Sequence, residues 1–185
     1  MLNNMNYGHA EMAKWGFTHI SPSQDADILD IGCGGGANLS IFLGKCPRGT
    51  VTGIDYSTVS VEKSAKRNRK AVEMGRCRVI HGNVAELPFR ENQFDVISAF
   101  ETVYFWPEIA DAFCEVYRVL KPDGVFMICN ELDGRKESDK KWENMIDGMT
   151  IYNKEQLEKL LKAAGFSEVE SFNDKRTWLC ITAHK

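Results

Sequence analysis

Asp30, the glycines at 32, 34, 35 and 36, and Asp55 are the residues whose types and spacing point most directly to chemistry. Ile28-Leu29-Asp30-Ile31 is an apolar run of the kind that forms a buried strand, and the loop Gly32-Cys33-Gly34-Gly35-Gly36 follows it directly. Glycine at 32 and 34 lets the backbone turn sharply and leaves no Cβ in a ligand's way, so backbone amides and the following helix N-terminus can approach a bound group. Val51-Thr52-Gly53-Ile54-Asp55 is a second apolar run that closes on a carboxylate. It ends about 20 residues past the glycines, where an adenosine-binding βαβ unit carries its ribose-binding acid. The two segments together read as a nucleotide site.

The elements that must position these residues follow from periodicity. Leu39, Phe42 and Leu43 share one helix face, and Pro47 and Gly49 stop that helix. Ser57 or Thr58 caps a second helix with Val61, Ala65 and Val72 inward, ended by Gly75, and Val79-Ile80 follows as a strand. Phe94 to Phe100 is an apolar run suited to a strand buried on both faces. Pro107 then starts a helix with Ile109, Phe113, Val116 and Leu120 inward, and Lys121-Pro122-Asp123-Gly124 turns into a strand over 125–130. Strands alternating with helices in this way predict the α/β class, with a doubly wound parallel sheet and right-handed crossovers.

The C-terminal third breaks the alternation. A helix over 154–164, capped by Asn153 with Gln156 at its third position, leads through Gly165 into strands 166–172 and 177–183. Their short connection at Asn173-Asp174 predicts an antiparallel hairpin, giving seven strands in all. The charged stretch 133–147 carries Trp142, Met145 and Ile146 on one helical stripe with Met149, which predicts a short amphipathic helix within a segment, 133–150, that is either a lid or a helix packed on the sheet edge. Residues 1–20 form a helical cap, and 1–185 is read as a single domain.

Composition narrows the function classes. A net charge of −3 gives no general attraction to phosphate backbones or anionic membranes, so neither nucleic acid nor a membrane is an expected partner. The six cysteines lack Cys-x-x-Cys or metal-finger spacing; they read as reduced, buried thiols, and no metal site is expected. No basic-then-apolar leader opens the sequence and no run of about 18 apolar residues could cross a bilayer, so a cytoplasmic location is expected.

Five ordered motifs carry a family resemblance: Leu29-Asp30-Ile31-Gly32-Cys33-Gly34-Gly35-Gly36, Gly53-Ile54-Asp55-Tyr56-Ser57, Gly82-Asn83-Val84-Ala85-Glu86-Leu87-Pro88-Phe89, Phe94-Asp95-Val96-Ile97 and Arg118-Val119-Leu120-Lys121-Pro122-Asp123-Gly124. From about Asp27 to Phe166 the chain resembles the class I S-adenosylmethionine-dependent methyltransferases, in the small-molecule, quinone-biosynthesis-like branch of methyltransferase type 11. The resemblance implies a Rossmann-like methyltransferase fold, with S-adenosylmethionine as donor and S-adenosylhomocysteine as product. It also implies that Asp30, Gly32, Cys33, Gly34 and Gly36 cradle the methionine part and that Asp55 accepts both ribose hydroxyls. Tyr56 would lie against the adenine or ribose, the Val84 backbone would complete the adenine edge, and Phe100 would stand beside the donor. Asn83 departs from the family's usual aspartate; it can still accept a hydrogen bond from the adenine amino group, without the charge.

A second departure concerns the acceptor. Where the family often has paired histidines after the fourth strand, this chain has Tyr104 and Phe105, and no Asp-Pro-Pro-Tyr motif of DNA amino methylation is present. Glu101 and Tyr104, at a strand end facing the ligand crevice, are therefore the catalytic candidates. Alignment of nucleophile, methyl carbon and leaving sulfur supplies much of such a reaction, so a base is useful chiefly for a hydroxyl or thiol acceptor. His9, Glu101, Tyr104 and Glu131 are the base candidates. Tyr7, Trp15, Tyr104, Trp106 and Trp142 suggest an aromatic pocket for a flat or apolar small molecule, with Glu101 as polar anchor. Methyl transfer to a small molecule is the expected function. A nicotinamide-dependent oxidoreductase and a silent S-adenosylmethionine-binding regulatory module are the alternatives, and the acceptor's identity and the oligomeric state are not legible in the sequence.

Overall fold

Apolar runs too long to stay in water and too rich in β-branched residues to favour helix gather here into one sheet. The computed structural model describes residues 2–185, with side chains from His9 onward. Seven strands, β1 (Asp27–Ile31), β2 (Thr50–Asp55), β3 (Cys77–His81), β4 (Phe94–Phe100), β5 (Leu120–Asn130), β6 (Ser167–Asn173) and β7 (Leu179–His184), form a sheet of order β3-β2-β1-β4-β5-β7-β6. The first five pair in parallel, and β7 enters antiparallel between β5 and β6. The doubly wound, mostly parallel sheet and its C-terminal antiparallel hairpin match the expectation from sequence.

Two hydrophobic clusters cover the two faces of the sheet. On one face lie α1 (Leu2–Gly16), through Met12 and Ala13, and α2 (Ala37–Lys45), through Leu39 and Phe42. On the other lie α5 (Ile109–Val119), through Phe113 and Val116, and α7 (Lys154–Ala163), through Leu157 and Leu161. Phe42, Phe113 and Phe126 are fully buried, each burial being worth roughly 1.5–3 kcal/mol. The capping box expected at α7 is present: Gln156 N–H donates to Asn153 Oδ1, and Asn153 N–H donates to Gln156 Oε1, both at 2.9 Å.

Four local expectations are corrected. The second helix is not continuous: it divides into α3 (Thr58–Arg67) and α4 (Arg69–Glu73) around a buried Asn68, and Ser64, rather than the exposed Val72, takes a fully buried place. The Lys121-Pro122-Asp123-Gly124 turn is absorbed as an irregularity within β5, which begins at Leu120 pairing with Phe94 and resumes at Val125 opposite Val96. The amphipathic stripe forms α6 (Lys140–Met145), but Trp142, Met145 and Ile146 are exposed, so this helix does not pack its apolar stripe on the sheet edge. Cys114 is exposed, while the other five cysteines are buried and free. Among the described residues no helix is long and apolar enough to cross a membrane.

Candidate functional site

The carboxyl ends of the parallel strands place the singled-out residues in a row. Along the edge from β3 towards β5 come Asn83 just past β3, Asp55 closing β2, Gly32 just past β1, Glu101 just past β4 and Glu131 just past β5. This follows from the fold, because parallel strands carry all their βα loops to one edge and a ligand binds where those loops diverge.

A cavity of about 350 Å³ opens over the first three of these strand ends. Gly32, Asp55, Tyr56, Asn83 and Val84 line it, as do Thr102 and Trp106 from beyond β4. Gly32 has φ 74°, and a Cβ there would run into the Thr102 side chain, its Cβ at 2.7 Å, so this position needs glycine for both reasons. Asp55 is buried, and its two oxygens accept from Gly34 N–H at 2.8 Å and Ser57 N–H at 2.9 Å. Each oxygen keeps a further lone pair for a ligand in the cavity it lines. Asn83 Oδ1 accepts from Ala85 N–H at 3.1 Å, which holds the side chain in a turn at the cavity wall. Tyr56 is 78% exposed and free to move against a ligand, while its carbonyl lies 2.8 Å from His81 Nε2 at the end of β3.

Several expected contacts lie outside this cavity. Asp30 is buried beneath the loop and accepts from the Ser98 hydroxyl at 2.7 Å; burial pushes its carboxyl up to about 7, and the nearby Asp55 charge adds to the effect. Cys33 is buried, with its thiol pushed up to about 12 by burial. Gly36 serves packing, its carbonyl accepting from Asn68 Nδ2 at 3.0 Å. Asn68 Nδ2 also meets Ser64 O at 3.0 Å, while its Oδ1 accepts from the Ser40 hydroxyl at 2.7 Å, so this amide latches the glycine loop to α3. Phe100 does not face the cavity; it packs 5.1 Å from Phe17, within the cluster beneath α1.

The aromatic pocket also assembles differently from the expectation. Trp106 and the half-exposed Phe105 line the cavity, whereas Trp15 packs against Trp178 and Trp142 is exposed elsewhere. The Tyr7 side chain lies outside the described residues. Asp147 and Gly148, from the segment read as a lid, do border the cavity, and nothing in their types signals it. Leu87 and Phe89, part of one resembling motif, are structural: their carbonyls accept from Arg118 at 3.0 and 2.8 Å.

Beyond the cavity, Glu101 holds φ 57°, a conformation that aims its side chain at the ends of β4 and β5. Its Oε1 accepts from the Tyr104 hydroxyl at 3.1 Å and, through a short contact, from Glu131 N–H. Leu132 N–H in turn donates to the Tyr104 oxygen at 2.9 Å. His9 Nδ1, on α1, stands 3.6 Å from Glu101 Oε2 and 3.8 Å from Glu131 Oε1. Burial pushes the Glu101 carboxyl up to about 8, and the Glu131 charge adds to it. Burial also pushes the Tyr104 hydroxyl up beyond the ordinary tyrosine range, and its hydrogen bond to Glu101 Oε1 ties the two side chains together. His9, Glu101 and Glu131 bring one potential ligand atom each within 4.8 Å of one another, an arrangement able to hold a cation; the sequence offers the three as base candidates but not as a cluster.

Residues 29–128 match the family model described as a methyltransferase domain. Among curated proteins, 24-methylenesterol C-methyltransferase 2 of Arabidopsis thaliana is 33% identical over 119 residues, covering 64% of this chain and 32% of that protein. Demethylmenaquinone methyltransferase of Listeria welshimeri is 32% identical over 118 residues, 63% of this chain and 49% of that one. The matched part of the chain thus spans 32% and 49% of the length of these two relatives. A solved SAM-dependent methyltransferase from Aquifex aeolicus superposes with a TM-score of 0.75 at 19% identity, covering 93% of this chain and 88% of that one.

Proposed function

Because the chain belongs to the methyltransferase domain family, we propose that it binds S-adenosylmethionine in the cavity over β1, β2 and β3 and transfers the methyl group to a small molecule held at the ends of β4 and β5. The observation that carries this reading is the order of groups along one sheet edge: an amide for adenine at Asn83, a carboxylate for ribose at Asp55 and an open backbone at Gly32, with Glu101 next in line. The bound donor supplies a methyl group already activated by positive sulfur. The chain's part is to seat and align: Asp55 anchors the ribose, Asn83 and Val84 meet the adenine edge, and Gly32 leaves room for the backbone to approach. Glu101, oriented by Tyr104, faces the acceptor side. Segment 133–150 acts as a lid, with Asp147 and Gly148 bordering the cavity, and α1, which brings His9 to Glu101 and Glu131, caps the acceptor side. Five buried thiols suit a reducing compartment, and we place the reaction in the cytoplasm.

The relatives are methyltransferases, and nothing in the comparisons favours an oxidoreductase or a silent binding module. Calorimetry with S-adenosylhomocysteine tests the donor site. Asp55→Ala is expected to weaken binding tenfold or more, each decade being about 1.4 kcal/mol, because the ribose hydroxyls lose their acceptor and Gly34 N–H loses its partner. Unchanged affinity would remove Asp55 from the site. Release of S-adenosylhomocysteine from a labelled donor in the presence of a metabolite extract tests transfer itself.

A further inference from the structure

Glu101 and Glu131 lie beyond β4 and β5, one and two strands past Gly32 along the edge that carries Asp55 and Asn83. A donor seated with its adenosine over β3 and β2 therefore turns its reacting end towards these two carboxylates. Glu101 Oε1 is taken up by the Tyr104 hydroxyl and Glu131 N–H, which leaves Oε2 turned to His9. Among the described residues, no lysine or arginine pairs with either carboxylate. Glu101 is largely enclosed, at 19% side-chain exposure. Carboxylates placed like this are costly unless a cation or hydrogen-bond donors share the space.

The charge flow of methyl transfer selects what that partner is. As methyl leaves a positive sulfur for a neutral nucleophile, the charge moves onto the acceptor atom, and fixed carboxylates beside that atom stabilise the transition state. The same carboxylates would repel a phenolate, a thiolate or a carboxylate acceptor. An alkene carbon would also take up the charge, yet it brings no donor and would leave both carboxylates desolvated against hydrocarbon before reaction. An amine meets both requirements.

We propose that the acceptor is a small molecule with a basic amine nitrogen, held as its ammonium ion by Glu101, Glu131 and His9; this rests on the methyl-transfer reading above. The ammonium gives one proton to His9 Nδ1, and the freed lone pair forms the N–C bond to the methyl carbon while the C–S bond breaks and its electron pair stays on sulfur. The donor leaves as a neutral thioether and the methylated amine carries the positive charge. The proton on His9 passes to water, to which this side chain is 35% exposed. Burial that pushes the Glu101 carboxyl up to about 8 is countered by an ammonium in contact, which favours the charged form.

The test uses matched pairs that differ only in the charged group: benzylamine with benzyl alcohol, phenethylamine with 2-phenylethanol, and cyclohexylamine with cyclohexanol. Each is titrated calorimetrically into the full chain saturated with S-adenosylhomocysteine, and each amine is then offered a labelled methyl donor. At least one amine should bind tenfold or more tighter than its alcohol and give an N-methyl product. Glu131→Gln should bring that preference within threefold while S-adenosylhomocysteine affinity and melting temperature hold; Glu101→Gln provides a second variant should the first fail to fold. Alcohols binding as well as amines, a preference that survives both substitutions, or no member binding while S-adenosylhomocysteine binds would each overturn the amine assignment alone. So would Mn2+ or Zn2+ occupying the cluster in place of amines, or transfer to an alkene carbon. Failure of S-adenosylhomocysteine to bind would instead overturn the donor reading.

Discussion

Asp30 illustrates how a residue at a site can work against the stability of the fold that holds it. Its carboxyl is buried, with the Ser98 hydroxyl as a partner at 2.7 Å, and burial pushes it up to about 7. A carboxyl raised in the folded state is most favourable below its unfolded value, near 3.9, and loses that advantage as pH rises through the folded value. The protein without ligand should therefore lose stability between about pH 4 and pH 7 on account of this one group, and Asp30→Asn should flatten that slope. At pH 8 the variant should gain at most about 4 kcal/mol by urea denaturation; parallel pH profiles for the two proteins would show that Asp30 is not the cause. Thiol chemistry gives a second residue-scale expectation. Cys114 is exposed, whereas the Cys33 thiol is buried and pushed up to about 12. Iodoacetamide under native conditions should modify Cys114 alone, as read by peptide mass spectrometry. At this scale the sequence discloses Asp55, because an apolar strand ending on an acid at the right distance is a local pattern. It offers His9 and Glu131 among the base candidates but not their contact, which arises only because α1 folds over the ends of β4 and β5.

Between residue and sheet, the division of one expected helix into α3 and α4 carries the clearest consequence. Asn68 at the break donates to Gly36 O and Ser64 O and accepts from Ser40, so Asn68→Leu leaves three buried or half-buried polar groups without this partner. Each unmade bond costs about 1–3 kcal/mol. The substitution should lower the melting temperature and weaken S-adenosylhomocysteine, since the glycine loop loses its latch; an unchanged melting temperature would show that the latch is dispensable. Asn153→Ala, at the cap of α7 on the face covered by α5, should cost about 1 kcal/mol and leave ligand affinity alone. The α7 cap is legible because Asn153 and Gln156 are three residues apart. The break at Asn68 is not, since helical periodicity continues through it and the loop that claims the amide is 32 residues away. The stripe on α6 leaves two readings open, a lid or a helix packed on the sheet edge, because periodicity reports that a face is apolar and cannot say whether anything packs against it.

For the molecule as a whole, alternating strands and helices and the late short connection were enough to foresee five parallel strands and a hairpin. The insertion of β7 between β5 and β6 was not, because strand order depends on which edge is open when the hairpin docks. The net charge of −3 leads to an expectation at the same scale: duplex DNA should show no salt-dependent binding at physiological ionic strength. Submicromolar binding with a steep salt slope would point to a substrate of another kind. The row of groups along the sheet edge also bears on how acceptor preference could be exchanged between related proteins. Residues 32–84 furnish the β1, β2 and β3 side of the cavity, and 101–149 furnish the ends of β4 and β5 together with the cavity's remaining wall at Thr102, Phe105, Trp106, Asp147 and Gly148, so a single genetic crossover between 85 and 100 would move the β4 and β5 side and that wall as one piece. The exception is α1, which is encoded ahead of the donor half yet packs on β5, with Met12 Sδ 3.0 Å from Cys129 Sγ. A chimera joined at that one point would therefore set a foreign α1 over the transplanted strand ends, and a functional transplant needs two crossovers, with the first helix travelling with the C-terminal half.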